Sequence, residues 1–356
     1  MAITRNNFKN LYMDIHVIQV IPPSNLNRGQ DGAPKTAQIG GTMRARLSSQ
    51  SQKRPARIDF NRQLSNFGIR TRRHTDEIAA RLVANGIDVV EAKKLADKAN
   101  KVGKLGSDKE DAKDTIVFLS QKQIDNIVEV MSQYHSQEKA IDEKVLEKNI
   151  KEAVMKDPSV DQLLFGRMFA NDPSLNYDAA VQVMHAYSVN AVKYEFDYFS
   201  AVDDLARTFD PEHAGAGHIS SKLFVDPIFY RYANVNLSET SELIRYDKDN
   251  AAADAVAFAE AFIMNLPEGS TNSFAACTLP SYVLITLRED RPVNFSPAFI
   301  SAVNGVDYLT DAIKKLELER ERIDKQFSPA VFAESLAEKS LKEILKDAVN
   351  AIEERL

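Results

Sequence analysis

The chain has 356 residues, 44% hydrophobic and 27% charged, a balance that gives a folded globular protein and excludes a disordered one. Its formal charge of −6 excludes a uniformly basic nucleic-acid binder, and its single cysteine, Cys277, excludes an internal disulfide or a cysteine-built zinc site. No apolar run approaches the roughly 18 residues needed to cross a bilayer, and residues 1–10 lack the apolar stretch of a secretory signal, so a cytoplasmic protein with no membrane partner is expected.

In chain order, the first strand signal is Met13 to Ile21, a β-branched apolar run stopped by Pro22-Pro23. A polar loop leads to Gly40-Gly41. Arg44, Arg46 and Ser48 then alternate with Ala45 and Leu47, which places the polar side chains on one face of a short strand. Ser48 or Ser49 caps a helix running through Gln52, Lys53 and Arg57, with Pro55 in its first turns. From about His74 to Met155 the apolar spacing is helical: Ile78, Leu82 and Val83 repeat at helix spacing, as do Ile141, Val145, Leu146, Ile150 and Val154.

Strands are expected again at Val160 to Phe165 and at Val192 to Tyr198, where Tyr194, Phe196 and Tyr198 alternate with polar residues. His185 reads as part of a helix. Asp203 to Lys222, with Pro211, Gly215 and Gly217, reads as a long loop, of the kind that is either functional or disordered. A strand over Ile228 to Leu237, a helix over Ala251 to Met264, a strand over Tyr282 to Leu287 and two late helices, Asp311 to Ile323 and Pro329 to Arg355, complete the chain. Strands and helices mix without regular alternation, which gives an α+β fold. Cys277 is expected to be a small buried hydrophobe.

The charge is uneven. Between Arg44 and Arg73 stand nine basic residues (Arg44, Arg46, Lys53, Arg54, Arg57, Arg62, Arg70, Arg72, Arg73) against one acid, Asp59. Several come from a strand and from the start of the helix that follows it, the rigid placement that phosphate contacts require. A solvated, ion-paired basic face is the plain alternative. No phosphate-loop motif and no RNP signature is present, so the residues point to gripping of a nucleic-acid backbone without reading its bases. His213 and His218, with Asp203 and Asp204 at the entrance to their loop, are a grouping that metal-dependent hydrolysis could use, but a mobile loop with solvated side chains is the better account of them. No metal ligand, catalytic residue or cofactor is assigned.

Several stretches carry a resemblance. Ile15-His16-Val17, Ser24 to Arg28, Gly40-Gly41, Arg44, Arg46 and Ser48 to Arg54 resemble the start of the CasC family, the backbone subunit of the type I-E CRISPR Cascade. Gly166-Arg167-Met168, Phe199 to Leu205 and Phe229 to Leu237 follow in the same order. The resemblance implies an RRM-like (ferredoxin-like) palm with inserted helical fingers and a protruding thumb loop. The palm would comprise residues 1–59, 159–202 and 223–356 with the C-terminal helices, the fingers 60–158 and the thumb 203–222.

It further implies a non-catalytic subunit of an antiviral ribonucleoprotein. Copies would stack head to tail along a guide RNA (crRNA) beside other Cascade subunits, displacing nucleotides at intervals so that the guide pairs with target DNA; a separate recruited helicase-nuclease would do the cutting. Carried over residue by residue, guide contacts fall on Arg44, Arg46, Ser48, Lys53, Arg54 and Arg57. Met168 becomes the apolar wedge, Phe199 and Val202 the thumb root, and Lys144, Lys148 and Lys151 a face for DNA, to which a solvated helix pairing Glu147 with Lys151 is an equal alternative. Thr42 and Met43 depart from the basic residues expected after the paired glycines, and a thumb-region ribonuclease, as in type III backbone subunits, is the alternative function.

Overall fold

The computed structural model describes residues 9–106, 116–137, 141–202, 204, 208 and 216–356. Among these, twelve strands occur: β1 (Tyr12–Val20), β2 (Thr36–Ile39), β3 (Thr42–Leu47), β4 (Gly68–Thr71), β5 (Val117–Ser120), β6 (Val181–Val183), β7 (Ala186–Ser188), β8 (Glu195–Val202), β9 (Ala216–Phe224), β10 (Ile228–Asn236), β11 (Tyr282–Arg288) and β12 (Phe332–Ser335). The chain forms two compact units. One contains residues 57–182 and 235–254, the other residues 10–56, 183–234 and 255–356.

The second unit is built on a sheet ordered β12-β11-β1-β10-β7-β3-β2. β1 and β11 are antiparallel, Tyr12 opposite Arg288 and Ile18 opposite Tyr282. The run of apolar residues read from Met13 onward forms β1 because both faces are covered, and Met13, Ile15, Val17 and Ile18 are fully buried. One core cluster includes Ile18, Tyr230, Leu284, Phe295, Phe299 and Leu316, and another Ile21, Leu47, Val225 and Phe229. β2 and β3 form a hairpin turned by Gly40 and Gly41, both at positive φ. Gly40 is required there, since a Cβ would lie 1.8 Å from the carbonyl oxygen of Ile300.

Helix α1 (Ser49–Asn61) follows β3, and Ser48 precedes it as a cap whose Oγ accepts from the Ser51 amide at 3.4 Å. Pro55 lies inside this helix, deeper than the first turn. The helix Ala251–Met264 joins β10 to β11 and has the bounds the sequence predicts. Buried Arg231 on β10 donates to the carbonyls of Phe262, Ile263 and Asn265 at the end of that helix and to Gln19 Oε1, so a cation meets the negative end of the helix dipole.

The first unit packs the helices His74–Ala84, Val89–Gly103, Gln121–Ser136 and Glu143–Met155 around Ile78, Leu82, Leu95, Ile127, Leu146 and Ile150. β4 and β5 pair beside them. Val160–Phe165 is a helix rather than the predicted strand; Gln162 accepts from the Ser159 amide, the reach-back of a capping box that six apolar-rich residues alone do not reveal.

Three other expectations change. The stretch from Pro329 contains β12 before a helix at Leu341–Glu353, whose own start is set by Ser340 and Glu343. His185 lies in the link between β6 and β7, not in a helix. Cys277 is exposed, because Ala276 is the residue that turns inward.

The segment read as a long loop ends in a strand. β9 pairs with β8 from Glu195–Phe224 to Val202–Ala216 as a separate two-stranded ribbon. Its predicted aromatics do alternate, yet Phe196 and Tyr198 remain 71% and 72% exposed, so the described residues leave these two rings largely uncovered. Among the described residues, no helix is long and apolar enough to cross a membrane.

Candidate nucleic-acid interface

At the junction of β3 and α1 the predicted cations divide by environment. Arg44 is fully buried. Its Nε donates to Thr42 Oγ1 at 2.8 Å, Nη1 to the carbonyls of Ser188 and Val189 at 2.8 Å, and Nη2 to those of Phe299 and Ile300 at 3.3 Å. All five N–H donors are thereby used. The Ser296–Ile300 segment covers the face of β3 that the alternation alone leaves open, so Arg44 joins three segments of backbone, where the sequence suggests a guide contact. Thr42, which departs from the expected basic residue, orients Arg44, and Met43 packs half-buried against the core.

Arg46 is half-buried; its Nη1 approaches His185 Nδ1 at 3.1 Å, and its Nε has no hydrogen-bond partner. Lys53 is half-buried and Arg54 exposed on α1. Burial holds the Lys53 ammonium below the ordinary lysine range. Among the described residues, no ion pair engages Arg46, Lys53 or Arg54, whereas Arg62, Arg81 and Arg245 each meet a carboxylate. Ser48 is buried as the helix cap, its amide donating to Asn27 Oδ1 at 2.9 Å. The junction therefore presents cations on rigid elements with capacity for an anion.

In the other unit, Arg57 donates to Asp161 at 3.4 Å and to the Gly68 carbonyl at 3.3 Å, and lies over the ring of Phe118. This places it in a structural network. Met168 is 73% exposed although its neighbours Arg167 and Phe169 are buried. Arg167 donates to the Leu175 carbonyl, the Val154 carbonyl and Gln123 Oε1, and its guanidinium stacks 4.0 Å from the ring of Tyr177. An anchored residue on each side thus holds a bare thioether in solvent.

Lys144 and Lys148 are exposed on the helix Glu143–Met155, Lys148 pairing with Glu152 at 3.7 Å. Lys151 is tied to Asp172 at 2.7 Å and Glu147 at 2.9 Å, and these bonds raise its pKa. Lys151 is thus held in the pairing that a solvated helix face would make.

Phe199 lies on β8 with the Lys222 ammonium 5.4 Å from its ring centre, and Val202 ends that strand at a register shift. Asp203 and His213 lie outside the described residues, and Asp204 is exposed. Among the described residues, no cluster of three or more His, Cys, Asp or Glu could hold a metal ion. Sequence reasoning overlooked His185 at Arg46 and the buried acceptor Asp161, since each partner is distant in the chain.

The sequence profile of a family described as CT1975-like protein matches residues 13–355. Comparison with curated proteins finds no match. Among solved structures, a chain of a "CRISPR RNA-guided surveillance complex, pre-nicking" is 32% identical, with a TM-score of 0.82, covering 96% of this chain and 100% of its own. A chain of a "CRISPR RNA-guided surveillance complex" is 28% identical, with a TM-score of 0.70, covering 96% and 99%.

Proposed function

The chain belongs to the CT1975-like family, identified here with the CasC family, and from that premise we propose that it is a non-catalytic backbone subunit of a type I-E CRISPR surveillance complex. Several copies stack head to tail along a crRNA, grip its phosphates and displace nucleotides at intervals so that the guide pairs with target DNA. Other subunits complete the particle, and a recruited helicase-nuclease cuts.

The observation that carries this reading is the set of cations at the β3–α1 junction. Lys53 is partly desolvated without a carboxylate among the described residues, a state that costs free energy until an anion meets it. A phosphate supplies that anion, and it does so for every base alike. Sequence selection is then left to pairing between guide and target.

The order β11-β1-β10-β7, with α1 between β1 and β7 and the helix Ala251–Met264 between β10 and β11, supports an RRM-like palm. The exposed rings of Phe196 and Tyr198 on the β8–β9 ribbon support a thumb that a neighbouring copy or the guide would cover. Exposed Met168 supports an apolar wedge beside the displaced nucleotide.

Electron microscopy of the protein purified with its guide tests the proposal. A string of subunits at regular spacing along one RNA is expected, and isolated subunits free of RNA would contradict it. Regularly spaced, metal-dependent cuts in complementary RNA, abolished by Asp203→Ala, would overturn the non-catalytic assignment.

A further inference from the structure

We propose that His185 is a second, uncharged donor to the RNA phosphate that Arg46 grips; this inference rests on the RNA-binding reading above. A guanidinium has only N–H donors, so its Nη1 at 3.1 Å from His185 Nδ1 requires that ring nitrogen to present its lone pair. The neutral imidazole must then carry its proton on Nε2. With Nδ1 occupied by Arg46, the exposed His185 offers Nε2–H to a further acceptor.

Both residues stand on fixed backbone. Arg46 lies opposite Tyr187 in the β3–β7 register, and its amide donates to the Lys35 carbonyl at 2.8 Å. Met184, next to His185, donates its amide to the Tyr232 carbonyl and accepts from the Gln52 side chain, each at 2.9 Å. The pair therefore has the rigidity a preorganised anion contact needs. Arg46 supplies the charge, and His185 sets the direction of its guanidinium while adding a neutral hydrogen bond.

Charge distinguishes the two roles. A cation that meets a phosphate releases counterions and steepens the salt dependence of binding; a neutral donor releases none. The test is binding of the full-length chain to guide RNA over a salt series, with wild type, His185→Ala, His185→Gln and Arg46→Ala. His185→Ala is expected to weaken binding about five-fold at every salt concentration with the slope unchanged. His185→Gln should restore it, because a glutamine accepts from Arg46 through one atom and donates through the other.

Arg46→Ala should weaken binding and lower the slope by about 0.7. Wild-type affinity in His185→Ala, a reduced slope in that variant, or failure of His185→Gln to rescue would each overturn the inference. If Arg46→Ala also binds as wild type does, the phosphate-grip reading itself fails. Melting temperatures are expected to stay unchanged in both His185 variants, and a loss of folding in His185→Gln would show a structural role instead.

Discussion

The guanidinium of Arg57 donates to Oδ2 of Asp161 at 3.4 Å, and Asp161 is fully buried. The same carboxylate accepts from the Gly68 amide, the Ser159 hydroxyl and the Asn61 side chain, so it is the hub of a network of four donors. Arg57→Ala is therefore expected to destabilise the protein by roughly 1.5–3 kcal/mol, the value of a hydrogen bond to a charged group. Chemical denaturation measures this. A variant of unchanged stability with weakened RNA binding would return Arg57 to the guide contacts.

Arg44 joins carbonyls from two distant segments, and lysine cannot replace it, since three donors on one nitrogen cannot span five directed bonds. Arg44→Lys should cost on the order of 3 kcal/mol, the penalty for leaving buried carbonyls without donors. Its folded fraction should bind RNA with the wild-type salt slope. A shallower slope would show that Arg44 reaches a phosphate.

Met168→Ala removes an exposed side chain, so stability should change by no more than about 0.5 kcal/mol. Chemical probing of the bound guide should then lose contrast at its periodic displaced nucleotides. An unchanged probing pattern would remove Met168 from the wedge role.

Burial pushes the carboxyl of Asp14 up to about 7, against the hydrogen bonds it accepts from the Tyr232 hydroxyl at 2.7 Å and the Val293 amide at 3.0 Å and against nearby Arg288. The folded value lies above the unfolded one, so the native state keeps a proton that the unfolded chain releases. The stability this contributes is complete below about pH 4 and lost as pH rises through about 7, at roughly 1.4 kcal/mol per pH unit. His16, lowered by burial and then by Arg288 to about 3, slopes the opposite way below about pH 6.5, and it cancels when wild type is compared with Asp14→Asn. Urea unfolding of the pair should give a difference that changes across this window; a constant difference would refute the assignment.

Much of the fold was legible where burial imposed a simple pattern. β1, β10, β11 and the helix Ala251–Met264 read directly, because their faces are covered and their apolar residues crowd together. β9 was hidden since Gly217, Ser220 and Ser221 carry no apolar alternation; its order comes from pairing with β8. The candidate interface was legible as a count of cations but not as a partition. Arg57 meets an acid 104 residues away, and Arg44 meets carbonyls 144 to 256 residues away, so no local pattern could distinguish them from Lys53.

The most direct measurement is RNA affinity against salt for wild type and the double variant Arg46→Ala with Lys53→Ala, on two guides of unrelated sequence. Equal losses on both guides, with a salt slope lower by about 1.4, are expected from two phosphate contacts. An undiminished affinity, or a loss that depends on the guide, would contradict a subunit that holds the RNA by its backbone.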